Sequence, residues 1–172
     1  WGGRNYNGQI DEVCIWKRAL TQEEIRDHRH LTKDKLIDTD SDIVAYYQFN
    51  EEEGSILDKI GTAHASLNGS ATRVLSSAPL GGGTSDRQNM VAGGTYDFEN
   101  TGFVLDIQDQ GISPDGEVVV SRINIEPYDK PNQNPGIGNY WIVNNYGNNN
   151  LITSFSEVKF SPFAGFATAE AV

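Results

Sequence analysis

A chain of 172 residues is long enough for one large domain or two small ones, and it carries a net charge of −11 with a single cysteine. The acidic balance, with no stripe of lysine and arginine, excludes a nucleic-acid-binding surface. One cysteine, Cys14, excludes an internal disulfide and a cysteine-based zinc cluster, and a lone buried thiol behaves as a small hydrophobe. No apolar run approaches the roughly 18 residues a membrane-spanning helix needs, so no membrane insertion is expected. The chain begins at Trp1 and is read as an excised piece whose parent continues on the N-terminal side, so a missing leader says nothing about localisation.

The first predicted element is a strand over Gln9–Trp16. Val13 and Ile15 share one face and Ile10, Cys14 and Trp16 the other, which predicts a strand covered on both sides. A short helix follows near residues 21–31. Thr21 and Glu24 form a capping-box pattern, Leu20 and Ile25 stand at the positions of a hydrophobic staple, and Glu23 and Glu24 suit the positive end of the helix dipole. His28 and His30 lie two apart and do not share a helix face, and His64 is remote in sequence, so no histidine metal site is expected. The strand Ile43–Asn50 places Ile43, Ala45, Tyr47 and Phe49 on its core face. Glu51, Glu52 and Glu53 read as a solvated turn.

Pro79 and the run from Leu80 to Asn89 hold three consecutive glycines, which predicts a flexible linker at 81–90 between a segment 1–80 and a small β-sandwich at 91–172. Strands are expected at Tyr96–Glu99, Phe103–Asp109, Glu117–Ile125, Tyr140–Tyr146, Leu151–Phe155 and Glu157–Phe160. Pro114-Asp115-Gly116 supplies a hairpin turn, and Asp129–Asn139, rich in proline and glycine, a long loop. The fold class is mainly β, with one short helix.

The stretch from Gly8 through Ile10, Asp11, Glu12, Val13, Trp16, Arg18, Ala19 and Leu20 into the Glu-rich helix resembles the closing strand of a laminin-G-like (concanavalin A-like, pentraxin-like) jelly roll. The segment from Val44 to Gly54, with Asp58 and Gly61 after it, is similar to the Ala-Tyr-Tyr strand and turn of such members. Lys59, Ile60 and Thr62 depart from that turn. The resemblance implies jelly-roll or β-sandwich elements, with the two strands paired antiparallel across the helix. Residues 84–172 resemble, more loosely, small β modules near the C-termini of large secreted Bacteroidetes-type surface proteins, through the stretches Asp109–Arg122 and Tyr140–Gly147. An extracellular or cell-surface location follows as an expectation from both.

Catalytic residues are not expected. Asp11 and Glu12 point to opposite faces if they lie on a strand, so they cannot form a glycosidase pair, and no nucleophile elbow, phosphate loop or dinucleotide fingerprint is present. Asp106, Asp109 and Asp115 are oxygen ligands of a kind that suits Ca²⁺, without EF-hand spacing; no other cofactor is expected. Tyr128, Tyr140 and Tyr146, set among asparagines, are the candidate glycan-contacting aromatics, whereas Trp141 and Val143 share a face and read as core. Asn68 opens a glycosylation triplet, a pattern common by chance. Three functions stay open: a non-catalytic module adhering to glycans or matrix proteins, a structural spacer or C-terminal module, and an accessory module of a glycan-degrading enzyme.

Overall fold

The computed structural model describes residues 6–91, 93–107, 116–124, 138–147 and 155–160. The fold is mainly β, and the described residues form three small antiparallel sheets. The chain divides into two compact units, one of Trp1–Thr21 with Thr32–Pro79, the other of Gln22–Leu31 with Leu80–Val172.

The first unit is organised by a two-stranded sheet. β1 (Val13–Trp16) pairs antiparallel with β2 (Ile43–Tyr47), with a bulge between Ile15 and Trp16. β1 starts later than its sequence suggests because Glu12 adopts a left-handed backbone, φ 52°, which no strand residue holds. Asp11 and Glu12 therefore precede the strand rather than alternate along it. Coverage is also the reverse of expectation. No residue of β1 is buried and Ile15 is 48% exposed, while Ile43, Ala45 and Tyr46 of β2 are buried. Phe49, expected on the core face, sits at φ 58° beyond the end of β2, and Tyr46 and Gln48 are buried in its place. Asp40 and Asp42 fasten one end of the sheet. The Trp16 indole and Arg18 Nη2 each donate to Asp40 Oδ2 at 3.2 Å, and Lys17 and Arg18 pair with Asp42. A single helical turn lies at Asp34–Ile37.

The second unit contains the helix α1 (Gln22–His28) and two three-stranded sheets. One sheet has the order β3 (Gly83–Met90), β6 (Gly116–Ile123), β7 (Tyr140–Asn145); the other β4 (Gly94–Phe98), β5 (Phe103–Ile107), β8 (Phe155–Phe160). The expected linker is a correction: residues 83–90 form the full-length strand β3, in unbroken register with β6 from Gly83↔Ile123 to Met90↔Gly116. Its first glycine serves close approach rather than flexibility. A Cβ on Gly83 would collide with the backbone carbonyl of Arg122. Residues 155–160 likewise form one strand where the sequence suggested a break; 151–154 lie outside the described residues.

Met90, Phe98, Phe103, Leu105, Val118 and Val120 form the core of this sandwich, with Tyr96 and Trp141 packed against it. Phe98 and Phe103 meet edge to face at 5.8 Å across the β4–β5 hairpin. Gly102, at φ 67°, makes the hairpin's turn possible. The Trp141 indole donates to the Thr101 carbonyl at 2.8 Å, and Thr84 Oγ1 donates to the Asn100 carbonyl at 2.7 Å, so the hairpin loop is tied to β7 and β3. Trp141 is thus structural, as its pattern suggested. Val143 is not core: it is 42% exposed, because β7 is the last strand of its sheet order.

Candidate functional site

Two constellations carry polar chemistry. The first surrounds Tyr46, a fully buried side chain on β2. Its hydroxyl donates to Glu12 Oε2 and accepts from the Lys33 backbone N–H at 3.0 Å and from Gln48 Nε2 at 3.2 Å; Gln48 Nε2 also donates to Asp34 Oδ1 at 2.9 Å. Burial dominates the electrostatics here. It raises the Glu12 carboxyl, against the opposing Tyr46 hydrogen bond, and lowers Lys33, against the attraction of Glu12. It also pushes the Cys14 thiol up to about 11 and raises the Tyr46 phenol, which the hydrogen bond to Glu12 raises further. The cysteine is therefore a thiol at neutral pH, although it is half-buried rather than buried as expected.

Asp58 completes the loop behind β2. Its Oδ1 accepts from the Tyr46 and Ile60 backbone amides at 3.1 and 3.0 Å, and its own N–H donates to His64 Nδ1 at 3.1 Å. Burial pushes the Asp58 carboxyl up, but the amides of Ile60, Tyr46, Gly61 and Ala63 outweigh it and hold the group below its ordinary range. A Cβ on Gly61 would stand 3.0 Å from Asp58 Oδ2, so the turn is shaped around this carboxylate. The sequence motifs that hold Glu12, Tyr46, Asp58 and Gly61 are thereby joined physically. Reading each motif alone gave no sign that Lys33 belongs with them.

The second constellation lies on the sandwich. Val118 and Val120 face the core, so Glu117, Val119, Ser121 and Ile123 alternate onto the outer face of β6. In register beside them stand Tyr140, Ile142 and Asn144 of β7, with Tyr146 next on the same face. Tyr140 is half-buried, which raises its phenol. One face of the Tyr146 ring carries the Arg26 guanidinium, 4.2 Å from the centroid. Arg26 in turn pairs with Glu117 at 2.8 Å. Arg87 of β3 pairs with Asp27, with Glu23 at 3.4 Å and with Glu117 at 3.9 Å. Burial works against the Arg87 charge, yet the hydrogen bond and charges of these carboxylates leave its pKa raised. Arg87 escaped the sequence reading because it stands in the run taken for a linker.

Of the three candidate aromatics, Tyr140 and Tyr146 share one face, and Tyr128 lies outside the described residues. Asp106 accepts a long 3.3 Å hydrogen bond from Thr95, while Asp109 and Asp115 lie outside the described residues. Among the described residues no group of three or more His, Cys, Asp or Glu is placed to hold a metal ion, and no helix is long and apolar enough to cross a membrane. No protein-family model, no curated protein and no solved structure matches the chain.

Proposed function

We propose that this chain is a non-catalytic module of a secreted or cell-surface protein, and that it binds a glycan or a matrix protein through the β7 face of its sandwich. The observation that carries this reading is the pair Tyr140 and Tyr146, two half-buried aromatic rings on one side of β7. Aromatic faces stack on the C–H faces of sugar rings. The net charge of −11 favours a neutral glycan or a basic protein over a polyanion.

A second reading, a spacer that binds nothing, is favoured by the Arg26 guanidinium that already occupies one face of Tyr146. An array of neutral glycans, with immobilised collagen and fibronectin beside it, separates the two, run with and without CaCl₂. Retention of the wild-type chain that Tyr140→Ala abolishes, with the melting temperature unchanged, is the expected result. Equal retention of both proteins rejects the β7 face. No retention of the wild type rejects binding altogether and leaves the spacer.

A further inference from the structure

The helix α1 belongs to the same compact unit as the sandwich and packs on strands β3 and β6. Its sequence, Gln22 to His28, contains one apolar residue, Ile25, which is 54% exposed, and no residue of the helix is buried. An amphipathic helix ordinarily docks through an apolar stripe. This one docks through charge instead: Arg26 on Glu117, and Asp27 and Glu23 on Arg87. At seven residues it is also far shorter than a helix that holds itself in water. The outer face it adjoins is nevertheless dry, since Val119, Ser121 and Ile123 of β6 are wholly buried.

We infer that α1 is an electrostatic strap over the outer face of the β3–β6–β7 sheet, which releases when its ion pairs are screened or outcompeted. The side chains of Arg26, Glu117, Asp27 and Arg87 keep between 20% and 31% exposure and that of Glu23 keeps 69%, so salt reaches them. The hinge lies at the C-terminal end, where the Leu31 amide donates to the His28 carbonyl at 3.3 Å and the Gly81 amide donates to the His30 carbonyl at 3.2 Å. Those backbone bonds are insensitive to screening and keep the strap tethered when the helix lifts. Release uncovers Val119 and frees the Tyr146 ring from Arg26. The strap stands on its own geometry, whether or not the β7 face binds a glycan.

Thiol labelling of the full chain tests it, in a Cys14→Ser background. Val119→Cys puts a reporter on the strapped face and Val120→Cys puts one in the sandwich core. Between about 20 mM and about 1 M NaCl, over which the screening length falls several-fold, labelling at position 119 is expected to accelerate about tenfold while position 120 does not respond. Adding Arg87→Gln at low salt reproduces the acceleration at position 119. Labelling at 119 that ignores salt overturns the inference. So does a parallel rise at both positions, which signals global unfolding, and so does an Arg87→Gln protein that labels like its parent at low salt.

Discussion

Tyr46 uses every hydrogen bond a phenol offers, one donated to Glu12 and two accepted from Lys33 and Gln48, and all of them are inside the protein. The cost of this arrangement falls on Glu12, which is desolvated and also held at a left-handed φ. Its folded pKa stands above the ordinary 4.5, so the folded protein holds that proton more tightly than the unfolded chain. The stability this contributes is fully present below 4.5 and is lost as pH rises through the folded value. Asp58, depressed rather than raised, acts in the opposite direction and at lower pH. Glu12→Gln keeps an acceptor for the Tyr46 hydroxyl and removes the titration. The melting temperature of wild type minus that of Glu12→Gln should therefore fall between about pH 4 and pH 7. A difference that stays flat or rises over that range would refute the buried-carboxylate account.

At the scale of elements, the clearest lesson is β3. Three glycines and a run of Ser, Asp, Arg, Gln and Asn carry no apolar alternation, so their sequence speaks for a linker. What makes them a strand is pairing along the whole of β6, a strand buried on both faces, and the lack of a Cβ where Gly83 meets the Arg122 carbonyl. Gly83→Ala forces backbone apart and should cost about 3 kcal/mol, the upper part of the range for overpacking. Gly138→Ala meets nothing within 4 Å and has no positive φ, so it should be close to neutral. Chemical denaturation of the two variants checks the contrast, and equal effects would remove the steric explanation. The strands β4 to β7 were legible within a few residues because Val, Ile, Phe and Tyr alternate between turn signals. The helix α1 was legible in place but not in packing: its staple pattern pointed Ile25 inward, and the ion pairs to Arg87 and Glu117 point its charged side instead. The candidate site was half legible for the same reason. Tyr140 and Tyr146 follow from strand period alone, whereas Arg26, 120 residues from Tyr146 and on another element, is brought to it only by tertiary structure.

The whole molecule holds two cores of different kinds. One unit gathers its buried residues around a two-stranded sheet and a hydrogen-bonded phenol; the other closes six strands around aromatic and branched side chains. Two-stranded sheets are marginal by themselves, while sheets of three or more strands with an apolar face are independently stable. Two-state unfolding is consequently the wrong expectation for this chain. Calorimetry should show two transitions, the first unit melting below the second. The variants identify them. Tyr46→Phe leaves Glu12 without its donor and should lower the first transition alone, by about 1–3 kcal/mol of the first unit's stability. Gly83→Ala should lower the second alone. If either substitution shifts a single shared transition, the two units unfold as one, and the division into separate cores fails as an account of the chain's stability.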